Sequence, residues 1–257
     1  MKLGVSYLAF MHRPSAEIVR IAGEAGFRLL EVILEGHHIQ QAGEASEVAE
    51  SYGLELSVHA PFADLNIASM NTRIREESLR QLVEAMEHAS SLGAEVFTIH
   101  PGRLSPYSMW FPEEAKRRNL SSIEHLVECA QEHGLVLCIE NSPRYAGALL
   151  CGIDELREVL ESFTPSELSL TLDVGHARTC GDVLEYLTTL GSRVCNVHLH
   201  DNTGSEDEHL AVGDGCIDFG RLLRALNATY RGGVIIECHR ERDVFRSRDA
   251  IMRLLSG

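Results

Sequence analysis

Eight short runs rich in β-branched and aliphatic residues, with stretches of helical periodicity between them, leave this chain few folds to adopt. The runs are Leu3–Tyr7, Leu29–Leu34, Leu54–His59, Val96–His100, Val136–Glu140, Ser169–Asp173, Val194–His200 and Val234–Cys238. Strands that alternate with helices pair in parallel, because a parallel neighbour is reached only through a crossover, and eight such units suffice to close a ring. The intervals behave accordingly. Ser78 to Leu92 places Leu79, Leu82, Val83, Met86 and Ala89 at three- and four-residue spacing, which makes one apolar face, and Ser122 to Cys129 and Phe219 to Leu226 do the same. Gly26, Gly53, Gly93, Gly134 and Gly191 each fall shortly before a run, where a left-handed C-cap ends a helix.

The expected fold is therefore α/β, a single (β/α)8 TIM barrel over residues 1–257, a length typical of that architecture. The open dinucleotide-binding sheet is the competitor, but no Gly-x-Gly-x-x-Gly follows the first run. No apolar run reaches the ~18 residues needed to span a bilayer. Met1 to Phe10 runs straight into a strand pattern, without the apolar stretch and cleavage site of a secretory leader. The expected location is the cytoplasm, with no membrane partner. The seven cysteines (Cys129, Cys138, Cys151, Cys180, Cys195, Cys216 and Cys238) are odd in number and never spaced as CxxC. That argues against a disulfide framework and against a thiolate zinc site, and most are expected as reduced core residues.

Polar residues recur where the runs end, which is where a barrel of this kind gathers its reactive groups. The third run ends in His59, the fourth in His100, the fifth in Glu140, the sixth in Asp173, the seventh in His198-Leu199-His200 and the eighth in Glu237. One such residue is most often a hydrogen-bonded structural group. Six in register place several acids in one cavity, where they repel one another unless a cation neutralises them. Mixed imidazole and carboxylate without thiolate suits Zn²⁺, Mn²⁺, Co²⁺ or Fe²⁺ better than Ca²⁺. The expected cofactor is a divalent metal, Zn²⁺ or Mn²⁺ first, as one to three ions. His198 and His200 lie two apart on one strand and face the same side, so both remain ligand candidates.

These segments carry a family resemblance over most of the chain: HAPFADLNIAS from His59, HPG from His100, IEN from Ile139, LDVGHA from Leu172, HLHDN from His198, DEHLAVGDGCIDF from Asp207 and IIEC from Ile235. In order and spacing they resemble the xylose isomerase-like TIM-barrel superfamily. That superfamily holds sugar and sugar-phosphate isomerases and epimerases together with endonuclease IV-type apurinic-site nucleases. The resemblance to the isomerases and epimerases implies a metal site from Glu140, Asp173, His198 or His200, and Glu237, with His176 contacting substrate. It also implies an acid/base pair, Glu140 and Glu237, one removing a proton alpha to a carbonyl and the other returning it on the opposite face. The metal would polarise the carbonyl and hydroxyl oxygens and stabilise the enediolate. In the plainer alternative both glutamates are ligands only, and another base such as Glu35 or a bound hydroxide acts.

The nuclease branch uses nine ligands for three zinc ions, and the resemblance supplies each of them: His59, His100, Glu140, Asp173, His176, His198, Asp207, His209 and Glu237. Three segments depart from its pattern. Ala60-Pro61-Phe62-Ala63-Asp64-Leu65-Asn66 replaces a Tyr-Leu pair that enters the duplex and is one residue longer. His198-Leu199-His200-Asp201-Asn202 differs from the nucleases' ending of that strand, and Ile217-Asp218-Phe219 is a continuation typical of the sugar enzymes. A formal charge of −15, from 38 acidic and 23 basic residues, also repels a polyphosphate at long range.

The reading that leads is a metal-dependent isomerase or epimerase acting on a small sugar or sugar phosphate. The alternative is an apurinic-site endonuclease, with DNA as partner only in that case. A barrel retaining a structural metal without catalysis is the third. Arg103, Arg144, Arg178 and Arg240 each lie just beyond a run, where a guanidinium holds phosphate or makes a surface ion pair. Of these Arg103 is the substrate-binding candidate. Trp110, within Tyr107-Ser108-Met109-Trp110-Phe111-Pro112, would cap the mouth over a sugar ring, join two copies in a homo-oligomer, or pack on the rim. His12, His37, His38, His88, His125 and His133 are expected to face solvent; His239 follows Glu237 by two, a position open to the mouth, and is not counted among the site residues.

Overall fold

In the computed structural model, which describes residues 1–256, eight parallel strands close into a barrel in chain order. The strands are β1 (Lys2–Ser6), β2 (Leu29–Ile33), β3 (Glu55–His59), β4 (Val96–Ile99), β5 (Val136–Glu140), β6 (Leu168–Asp173), β7 (Val194–Leu199) and β8 (Gly233–Ile236). Closure is made by β1 on β8, with Leu3 opposite Val234 and Val5 opposite Ile236. The helices are α1 (Ser15–Glu24), α2 (Ala42–Tyr52), α3 (Thr72–Ser91), α4 (Pro112–Glu132), α5 (Ile153–Glu161), α6 (Val174–Cys180), α7 (Val183–Leu190), α8 (Phe219–Thr229) and α9 (Glu241–Ser256). The expected α/β (β/α)8 TIM barrel is the observed fold; Gly257, the last residue of the expected domain, lies outside the described residues. Among those residues no helix is long and apolar enough to cross a membrane.

Side chains alternate across a strand, so each strand sorts its residues into two sets. The apolar set, including Leu30, Val58, Phe97, Leu137, Leu170, Val197 and Val234, is buried. The inward set is polar, and its hydrogen bonds prove its direction by joining strands that are not neighbours. Thr98 of β4 meets Thr171 of β6 at 2.8 Å, and the Asn196 amide on β7 donates to Glu31 on β2 at 2.9 Å. The barrel is thus packed from outside by helices and braced from inside by polar groups.

Three expectations fail, each for a local reason. Gly26, Gly53, Gly93 and Gly134 have φ between 61° and 78°, the left-handed caps expected, but Gly191 has φ −57°. There α7 runs on into a 3-10 turn at Gly191–Arg193 without reversing. His38 is buried, not solvent-facing: Ser15 and the Met11 carbonyl take its two ring nitrogens at 2.9 and 3.0 Å. Cys151 and Cys180 form a disulfide, against the expectation of no framework. The loop after β5 folds onto the end of α6, bringing together residues 29 apart that parity and spacing alone could not pair. Cys129, Cys138, Cys195, Cys216 and Cys238 are free.

Candidate metal centre

Three groups of potential ligands share the C-terminal mouth of the barrel. At its floor lie Glu140, Asp173, His198 and Glu237, all buried; to one side His59 and His100 meet Glu140; to the other stand His176, His200, Asp207 and His209. Within each group one donor atom per residue lies inside 4.8 Å of the others, and Glu140 belongs to two groups. At the floor His198 Nδ1 is 3.1 Å from Glu140 Oε1, 3.1 Å from Glu237 Oε2 and 3.9 Å from Asp173 Oδ2. Glu140 Oε2 is 3.2 Å from His59 and 3.0 Å from His100. Asp207 Oδ2 is 3.1 Å from His176 and 3.2 Å from His209, and His200 Nε2 lies 3.0 Å from Asp173.

Local structure explains the convergence. Asp173 ends β6 and also caps α6, its Oδ1 accepting the His176 N–H at 2.6 Å, so the chain turns at once into a helix and His176 comes over the mouth. Three imidazoles are oriented by backbone carbonyls: His59 Nδ1 by Ala60, His176 Nδ1 by Asn141 and His209 Nδ1 by Glu237, each at 2.8 Å. A carbonyl only accepts, so each Nδ1 carries a proton and Nε2 is the nitrogen presented to the group. Gly175 makes room for His200, since a Cβ there would sit 1.8 Å from that ring.

The donor chemistry fits a divalent cation. Every ion pair of Glu140, Asp173, Asp207 and Glu237 among the described residues is to a histidine, with no lysine or arginine. Buried acids so placed need positive charge. They draw it onto the imidazoles. Burial alone would lower His176, but Asp173, Asp207 and Glu140 hold it at about 10; His209 stands at about 9 and His59 at about 8 for the same reason. In return burial would raise Glu140 and Glu237, and the surrounding imidazoles, His198 first, hold both below the usual carboxylate range. The buried Asp207 Oδ1 has no hydrogen-bond partner, as befits a group that can bind an ion.

A cavity of about 170 Å³ opens above Glu140 and His176, walled by Phe62, Leu65, Arg103 and Tyr145. Of the four arginines singled out, Arg103 alone lines it. Arg144 is spent on the carbonyls of Thr179 and Cys180, Arg178 on Cys216 and Gly181, and Arg240 is exposed. Trp110 is 81% exposed in the turn Ser108–Trp110 and lies outside the cavity wall, where Tyr145 stands instead. Glu35 accepts the backbone N–H groups of Phe62 and Ala63 at 3.0 Å and so holds that wall. His239 stacks on His209 with ring centroids 4.4 Å apart.

Two buried acids were not singled out from the sequence. Glu31 reaches His198 from β2, and Asp201 accepts N–H groups from Asn202, Gly213, Gly215 and Ile217 at 2.9–3.1 Å, pinning the loop that carries Asp207 and His209. The signal for Glu31 was present: a charge inside Leu29-Leu30-Glu31-Val32-Ile33, where an apolar strand leaves it no water.

Residues 19–255 match the family model described as xylose isomerase-like TIM barrel. The chain is 34% identical to the uncharacterized protein MJ1311 of Methanocaldococcus jannaschii, over 99% of this chain and 89% of that one. It is 28% identical to the probable endonuclease 4 of Aquifex aeolicus, over 67% of this chain and 66% of that protein. A solved structure of a D-tagatose 3-epimerase-like protein superposes with a TM-score of 0.93 at 33% identity, covering 100% of this chain and 97% of the other.

Proposed function

The chain belongs to the xylose isomerase-like TIM-barrel family, and from that premise we propose that it is a divalent-metal-dependent isomerase or epimerase of a small sugar or sugar phosphate. Glu140, Asp173, His198 and Glu237 would hold the catalytic ion, which supplies Lewis acidity toward substrate oxygens when bound. Glu237 and Glu140 are the acid/base pair. In the metal-free chain both are held below the usual carboxylate range and so are ionised, the form in which a general base must start. They come from the ends of strands three apart round the ring and both reach His198 Nδ1, at 3.1 Å. His176 and Arg103 position the substrate in the cavity, and Phe62 and Leu65 exclude water from it. Arg103 is the cation suited to a phosphate or other anionic tail.

The observation that carries this reading is the cavity. At about 170 Å³ it is well below the roughly 300–1,000 Å³ of pockets for drug-sized ligands, and its foot is Glu140. It suits one small polyol. The test is incorporation of solvent deuterium alpha to the carbonyl across a panel of ketoses and their phosphates. Exchange that needs added metal and is lost in Glu237→Gln supports the proposal; full exchange in that variant removes Glu237 as the base.

One observation favours the second reading, zinc-dependent cleavage of DNA at apurinic sites: all nine residues of the nuclease pattern fall into the three groups. Three adjacent ions would supply hydrolytic power that an epimerase does not need. Nicking of an abasic duplex by fully zinc-loaded protein is the direct assay, and its absence rejects this reading.

A further inference from the structure

We propose that Glu31 is a positioning residue of the metal centre: it fixes the tautomer of His198, so that Nδ1 is the nitrogen offered to a divalent ion. β2 contributes none of the grouped ligands, yet its middle residue is a fully buried acid. Glu31 Oε2 is hydrogen-bonded to His198 Nε2 at 3.1 Å, and Oε1 lies 3.0 Å from the same nitrogen without hydrogen-bond geometry, while Nδ1 faces the oxygens of Glu140, Asp173 and Glu237. A neutral imidazole has one proton. A carboxylate that accepts places that proton on Nε2 and leaves the lone pair of Nδ1 directed into the floor.

The alternative partner is also in place. The Asn196 amide nitrogen lies 3.2 Å from His198 Nε2, and if it donated there the proton would sit on Nδ1, where it blocks ligation. That amide also has Glu31 Oε2 at 2.9 Å. The amide keeps a second proton, so the two groups compete at Nε2: Glu31, an acceptor only and an anion, selects the tautomer with the proton on Nε2 over the one the neutral amide would select. His59, His176 and His209 are oriented by backbone carbonyls, whereas His198 has a carboxylate in that role, which makes the imidazole a more basic ligand.

The test reads metal binding, not turnover. Metal-stripped protein and its Glu31→Gln variant are titrated with Zn²⁺, and with Co²⁺ as a visible probe. The variant is expected to bind at the floor roughly 10–100-fold more weakly, with shifted Co²⁺ absorption bands. Should Glu31→Gln fail to fold, ¹⁵N NMR of the histidine-labelled, Zn²⁺-loaded wild type reads the same claim, because His198 must show a protonated Nε2 and a metal-bound Nδ1. A proton on Nδ1, or wild-type Zn²⁺ affinity in a folded variant, overturns the inference. It rests on the metal-centre half of the proposed function. Wild-type protein that binds neither ion overturns both, whereas unchanged affinity in the variant overturns this inference alone.

Discussion

The two groups that flank the barrel floor carry similar ligands but are built from different parts of the chain. His59 ends β3, His100 follows β4 by one residue and Glu140 ends β5; the ladder fixes their backbones, with His59 opposite Thr98 and Ile99 opposite Ile139. His176 sits in α6, His200 just past β7, and Asp207 and His209 in the loop between β7 and α8. That loop has a single bridge, Asp201 with Leu210, and His209 adopts φ 48°, a left-handed conformation costly for a residue with a side chain. The strand-borne group inherits its geometry from the fold. The loop-borne group depends on particular residues: Asp201 accepts the loop's backbone N–H groups, and Gly175, by lacking a side chain, leaves room for the His200 ring.

The largest effect tests what the groups have in common. Glu140 offers oxygens to the floor and to the strand-borne group, so Glu140→Gln should remove two ion positions together and abolish deuterium exchange, while the loop-borne group keeps its ligands. Elemental analysis after dialysis counts the ions; a content unchanged from wild type would show that the groups do not share this carboxylate. Asp201→Ala should act the other way. It strands four backbone N–H groups, at a cost of roughly 1–3 kcal/mol for each that water cannot reach. Amides of Gly213, Gly215 and Ile217 should lose hydrogen-exchange protection and the loop-borne ion should be lost, with the strand-borne group still loaded. Equal loss at both groups would mean that the two are not held independently.

How much of this was legible in the sequence follows the same division. The eight strands were read to within one or two residues, because period and flanking glycines are local signals, and six strand ends gave His59, His100, Glu140, Asp173, His198 and Glu237 as one convergent set. Where loops meet, sequence is silent. The Cys151–Cys180 bridge, burial of His38, and Tyr145 in place of Trp110 at the cavity all depend on how connections fold over the rim. Glu31 is a different kind of omission. It lies one layer deeper than the strand ends, though its burial among aliphatic neighbours is written in the run itself.

A smaller perturbation separates the groups without removing a ligand. A methyl at Gly175 would sit against the His200 ring, so Gly175→Ala should displace that imidazole and cost about 1–3 kcal/mol by overpacking. Zn²⁺ affinity should fall at the loop-borne group only. Thermal melts and metal titration of the same sample separate the two consequences, and an unchanged titration would mean that His200 is not a ligand.

The smallest effect moves only protons. In the metal-stripped chain the folded state holds them more tightly than an ordinary histidine does, His59 to about 8, His209 to about 9 and His176 to about 10, because the neighbouring carboxylates outweigh burial. A raised value stabilises the folded state fully below about 6.5, the unfolded value, and that contribution fades as pH climbs through the folded one. The strand-borne group should therefore release its proton near pH 8 and the loop-borne group one to two units later, so that metal-stripped stability declines in two steps. Metal-loaded protein should show neither, since a ligating nitrogen carries no proton. Histidine NMR titrations read the midpoints directly, and His59 titrating after His176 would reverse the order that the surrounding carboxylates impose.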